Sequence, residues 1–227
     1  HVIVHDFFAS VTVVKESLLR ELGLPNEEIG TRPLRPSGAQ LSFADIRRLF
    51  GGWFEEIFCD VFGTLMCGPA YLCAMLELFG DPDDPRRVLS IAVAADGTGY
   101  DTHPPRHLRV LVALDVLARA GLAREAQVFV AEWREKHGFG DDESLRIAAP
   151  SYGTTLALPV APFAQIAGEL VERLYAGPLA GLDGFGLAAI SGLDYGPHEH
   201  ADAGRACMSF LAGQVPAARG LRQVVAG

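Results

Sequence analysis

Two histidines, His1 and His5, stand four residues apart. On a helix that spacing puts both imidazoles on one face, where they can share a metal ion. Glu56 and Asp60 are also one helical turn apart, within Trp53-Phe54-Glu55-Glu56-Ile57-Phe58-Cys59-Asp60. Ile57, Phe58, Val61 and Phe62 surround these two acids, so both are expected to be at least partly buried, with Glu55 turned toward solvent. A buried carboxylate is costly unless it is paired or bound to a metal. A third place is Thr102-His103-Pro104-Pro105, with Arg109 six residues after the histidine. Pro104 restricts His103 to an extended conformation, and the helix start behind it is a position that meets anions. Each place also has a plain reading: a chance pair, a solvated acidic stripe, and a helix-start loop with an incidental histidine.

Taken together, His-x-x-x-His, a later Glu-x-x-x-Asp and Thr-His-Pro-Pro with its arginine resemble the gluzincin zinc metallopeptidases. The branch is that of the CAAX-prenyl proteases and their bacterial relatives. In that family two histidines of a His-Glu-x-x-His helix and the glutamate of Glu-x-x-x-Asp bind zinc. The aspartate orients a zinc-bound histidine, and the glutamate inside the first motif is the general base. For this chain the resemblance implies zinc as cofactor, with His1, His5 and Glu56 as ligands and Asp60 behind them. It implies His103 and Arg109 on the side of the developing oxyanion. It implies peptide-bond hydrolysis by a zinc-bound water, on a peptide or protein substrate. The match covers roughly the first 120 residues.

Two registers fit the first motif. In His1-Val2-Ile3-Val4-His5 both histidine ligands are present, but Val2 occupies the base position and cannot accept a proton. In His5-Asp6-Phe7-Phe8-Ala9 an acid follows the histidine, but Ala9 replaces the second ligand. Three protein ligands and an open fourth position are the usual catalytic zinc arrangement, which favours the first register on metal retention. Either way activity is expected to be weak or undetectable. The rival readings are a non-catalytic pseudoprotease that binds a peptide or protein, and a helical interaction domain whose motif matches are chance.

The elements that would position these groups are mostly helices. Apolar residues at helical spacing run from Asp6 to Leu22 and stop at Gly23 and Pro25. A polar loop with Pro33, Pro36 and Gly38 follows, and Ser42 is placed to cap a helix beginning at Phe43. Gly51-Gly52 is expected to break or bend it before a second, very apolar helix from Trp53 to Met66. Gly68-Pro69 resets the chain into a helix over 70–79, with Pro69 suited to its first turn. Residues 81–87 read as loop, and 88–95 as strand or helix without distinction. Further helices are expected from Pro104-Pro105 to Ala120, from Leu122 to Lys136 and from Val160 to Tyr175, with a linker of about twenty residues before the last. Gly177 to Gly196 reads as loop and 205–225 as one or two helices. The expected fold is mainly α: a helical gluzincin-like core over 1–140, with the family's upstream sheet absent, and a helical extension over 141–227 packed on it or merged with it.

His198-Glu199-His200 is a weaker metal candidate, since i, i+2 spacing shares a face only in a strand and Gly196-Pro197 suggests a loop. His107 and His137 are expected at the surface. Across 227 residues, 49% are hydrophobic and 21% charged, which excludes wholesale disorder. Nineteen Lys+Arg against 28 Asp+Glu give a net charge of −9, with no basic stripe to meet the phosphates of nucleic acid. The four cysteines form no C-x-x-C pair and are expected as reduced thiols in the core. No signal-peptide pattern is visible, and the first residue is His1, as in a processed chain or a piece of a longer one. The longest uncharged run, 61–76, is short of the ~20 residues of a membrane span. The expected setting is the cytoplasm.

Overall fold

The computed structural model describes residues 2–25, 43–80, 83–91, 103–139, 143–149, 154–190, 192–193 and 195–213. The chain is mainly helical: α1 (Val2–Glu21), α2 (Phe43–Cys67), α3 (Pro69–Phe79), α4 (Arg106–Arg119), α5 (Ala123–His137), α6 (Ala161–Ala176) and α7 (Pro197–Leu211). Three short strands, β1 (Ser90–Ile91), β2 (Ser144–Ala149) and β3 (Thr154–Pro159), make one sheet in the order β1-β2-β3. β1 runs parallel to β2, Ser90 opposite Arg146, and β3 returns antiparallel, Leu158 opposite Leu145.

α2 does not break at Gly51-Gly52 but continues through both glycines. Each costs about 1 kcal/mol against alanine in a helix interior, and the flanking aromatic residues outweigh this. Phe50 and Trp53 meet edge to face at 5.5 Å, and Phe163 of α6 lies against both, at 6.5 and 6.4 Å. Leu49, Phe50, Trp53, Ile57, Val61 and Leu65 form the buried stripe. Asp60 and Thr64 belong to the same stripe and are buried with it.

α4 is the central helix. Leu108, Val110, Val112, Ala113, Val116 and Leu117 are all buried, because α2, α3, α5 and α6 pack around it. Core from both ends of the chain therefore meets on one element.

The turn between α2 and α3 admits only glycine. Gly68 has φ +55°, and a Cβ there would lie 2.2 Å from the Tyr195 ring. Pro69 follows at the first position of α3, where its fixed φ suits a helix start. Tyr195 also donates its backbone N–H to the Leu65 carbonyl, at 3.0 Å.

The stretch expected as a linker before α6 contains the β2–β3 hairpin. Its strands alternate as half-buried strands do: Leu145 and Ile147 are buried around exposed Arg146, and Leu156 and Leu158 around exposed Ala157. Residues 205–225 were expected to be helical; α7 begins earlier, at Pro197, and ends at Leu211, and 214–227 lie outside the described residues. Ser42 and the loop over 26–41 also lie outside them. Among the described residues no helix is long and apolar enough to cross a membrane.

Candidate functional site

Four residues expected to act together do converge. α2 supplies Glu56 and Asp60, α4 supplies Arg109, and His103 comes from the segment just before α4. Arg109 forks onto Asp60, donating from Nε to Oδ2 and from Nη2 to Oδ1, both at 2.8 Å. Its third nitrogen, Nη1, meets Glu56 Oε2 at 2.9 Å. The other Glu56 oxygen, Oε1, is 3.4 Å from His103 Nε2. The planar guanidinium also lies over the Phe79 ring, 5.1 Å from its centre.

The cluster runs from core to surface. The Asp60 side chain is fully buried, Arg109 is 16% exposed, Glu56 30% and His103 58%. Asp60 is sealed by a further residue, Tyr71 of α3, whose hydroxyl donates to Oδ1 at 3.0 Å. The close turn at Gly68-Pro69 folds α3 back against α2, and Gly63 makes room for the ring, since a Cβ there would lie 2.4 Å from it. Nothing in the spacing of charged residues singled out Tyr71. The available signal was a phenol in a helix whose one other polar side chain is Glu77, since a buried tyrosine usually finds a partner for its hydroxyl.

Burial pushes the Asp60 carboxyl upward, against the guanidinium and phenol that favour its charge. Three donors aimed at two oxygens are the geometry of a carboxylate. Burial alone would lower Arg109, but Asp60 and Glu56 more than reverse this and hold the guanidinium above its ordinary range. Burial and the Asp60 charge together push the Tyr71 phenol far up, so it remains a donor. Cys59 sits beside these acids; burial, Glu56 and Asp60 all raise its thiol, which disfavours the reactive thiolate. The cysteines are free, as expected, but not in the core: Cys59 and Cys73 are exposed and Cys67 and Cys207 half-buried.

Glu55 is exposed, as expected, and pairs at 2.7 Å with Lys15 of α1. His1 and Thr102 lie outside the described residues, as does the side chain of His5, whose backbone belongs to α1. Among the described residues no group of three or more His, Cys, Asp or Glu side chains is arranged to hold a metal. Glu56 and His103 offer two donors, one short of a catalytic zinc set, and Asp60 is spent on Arg109 and Tyr71. By themselves, then, the described side chains do not fit zinc.

The remaining histidines depart from expectation. His198 and His200 are in α7 rather than a loop, so their i, i+2 spacing turns them to different sides. His198 lies 3.6 and 3.7 Å from Glu199 and Asp202, and His200 lies 3.8 Å from Glu125. His107 and His137, expected at the surface, are 1% and 3% exposed. Comparison with family models, with curated proteins and with solved structures finds no match for this chain.

Proposed function

We propose that this chain is a metallopeptidase-like protein that binds a peptide at the face where Glu56 and His103 reach solvent, with little or no hydrolysis of its own. One observation carries the reading: Glu56, Asp60, His103 and Arg109, drawn from segments almost fifty residues apart in sequence, meet in one connected group. A chance motif match gives no reason for that. Arg109 holds Glu56 from below, Asp60 fixes Arg109 in turn, and Tyr71 fixes Asp60. At the surface this leaves a carboxylate edge and an imidazole, an acceptor and a group that both donates and accepts, suited to the amides and carbonyls of a peptide backbone. Hydrolysis is a further requirement. It needs His1 and His5 to complete the ligand set with Glu56, and a base that Val2 cannot supply; general-base catalysis typically contributes 10²–10⁴-fold.

Zinc stoichiometry, casein cleavage and binding of casein-derived peptides, measured on the same preparation, test this. The unaltered chain is expected to bind the peptides and to cleave casein weakly or undetectably. Val2→Glu should bring measurable hydrolysis if His1 and His5 are the ligand pair, and Ala9→His should restore metal affinity if His5 begins the motif. Absence of both peptide binding and zinc in all three proteins would reduce the chain to a helical interaction domain. Robust, chelator-sensitive proteolysis by the unaltered chain would refute the non-catalytic reading and make Asp6 the first candidate for the base.

A further inference from the structure

On the side of α4 away from Arg109, a second polar cluster has a buried centre at His107, Trp133 and His137 and an edge at Arg134, which is half exposed. Trp133 of α5 donates its indole N–H to His107 Nδ1 at 2.9 Å. An indole N–H can only donate, so Nδ1 carries a lone pair and the ring proton is on Nε2. That nitrogen faces Glu143 Oε2, just before β2, at 2.9 Å. Arg134 saturates the other Glu143 oxygen, from Nε at 2.9 Å and Nη2 at 2.8 Å. Phe139 stands edge-on to the imidazole at 4.9 Å.

His137 lies in the same cluster, its ring centre 4.0 Å from that of Trp133. Its Nδ1 donates to the Pro85 carbonyl at 2.7 Å, which leaves Nε2 as a bare acceptor, buried and without a hydrogen-bond partner. The surroundings of both imidazoles are therefore built for the neutral form.

We infer that His107 is an obligately neutral imidazole that pins the first turn of α4 to α5 and to the start of β2, and that protonating it in acid breaks this anchor. A proton arriving on Nδ1 would point at the Trp133 N–H, donor against donor, and the bond between α4 and α5 would be lost. The charged and titratable groups that face His107 are Glu143, which attracts the proton, and Arg134 and His137, which repel it; Lys136 repels it from His137. Burial outweighs the pull of Glu143 and holds the His107 imidazole below its ordinary value of 6.5. His137 is also lowered, by burial. In the unfolded chain both rings take up protons near pH 6.5, while in the folded chain they resist. Below that pH the unfolded state binds more protons, so stability is held above about pH 6.5 and falls as the solution is acidified through it.

The inference stands apart from the peptidase reading, because it concerns the support of α4 and not its solvent face. The test is a long-range proton–nitrogen NMR titration of the full chain with labelled histidine and tryptophan. His107 is expected with its proton on Nε2, and less than half protonated at pH 6.5, where an ordinary imidazole is half protonated. The Trp133 indole signal should shift as His107 titrates, and the His137 nitrogens, resolved in the same spectra, separate the contribution of its stacked ring. Trp133→Phe frees Nδ1 and lets a charged ring pair with Glu143, so His107 should titrate about one pH unit higher. A proton on Nδ1, or half-protonation near pH 6.5 with the Trp133 signal unmoved, would overturn the inference. If Trp133→Phe does not fold, the spectra of the unaltered chain decide the matter alone.

Discussion

On one side of the first turn of α4, Arg109 carries a full charge into the core to meet Asp60; on the other, His107 gives up its charge to lie against Trp133. The two residues are two positions apart, so they project to nearly opposite sides of the helix. The Arg109 side is a chain of ion pairs, Asp60 to Arg109 to Glu56, that opens to solvent at Glu56 and His103. On the His107 side the imidazoles and the indole are buried and neutral, and the group reaches solvent through Glu143 at Arg134, which is 49% exposed. The Arg109 side ends in an acid and an imidazole at the surface, whereas the His107 side ends in the Glu143–Arg134 ion pair, which ties the residue before β2 and α5 to α4. The same turn carries both, and the ionic side depends on the neutral side for its position.

That contrast is open to attack by substitution. The largest effect is expected for Arg109→Ala, which strands the Asp60 carboxylate in the core. Breaking a buried pair from one side typically costs about 3–5 kcal/mol. Urea unfolding of this variant should show it, and Asp60→Leu with Arg109→Leu should be milder than Arg109→Leu alone. Equal losses would mean that the pair is not electrostatically coupled. A smaller loss is expected for Tyr71→Phe, which removes one hydrogen bond to a carboxylate that keeps its arginine. About 1–2 kcal/mol is expected in the same measurement, and a loss as large as that of Arg109→Ala would make Tyr71 an equal partner in holding Asp60. The smallest stability effect belongs to His103→Ala, where more than half the side chain is exposed. Its unfolding midpoint should be nearly unchanged, while affinity for casein-derived peptides should fall. A large loss of stability with peptide affinity unchanged would move His103 from the binding face to the scaffold.

The ionic side was largely legible in the sequence. Glu56 and Asp60 share a face through one helical turn, and His103 and Arg109 are tied to a proline-marked helix start, so local spacing carried most of the geometry. Tyr71 was not legible, because its contact with Asp60 depends on how sharply the chain reverses at Gly68-Pro69. The neutral side was misread. A histidine looks like a surface residue until its donors are placed, and His107 finds its partners 26 and 36 residues away, across a helix and a loop. The mainly helical class followed from apolar periodicity. The β2–β3 hairpin escaped because Leu-Arg-Ile and Leu-Ala-Leu are too short to stand out beside the long helical stripes. Gly51-Gly52 misled in the other direction, since propensity is a weak prior where Phe50, Trp53 and Phe163 pack together.

The Tyr195 ring set over Gly68 bears on the order in which the molecule is made. A ribosome adds about 5–20 residues per second, so α2 and α3 emerge many seconds before the residue that covers their turn and bonds to Leu65. Until then the joint between them is open, and Asp60 and Tyr71 meet across an uncovered hinge. Pairing of such long sequence separation slows folding. A chain cut short before Tyr195 should therefore keep the α2–α3 turn uncovered.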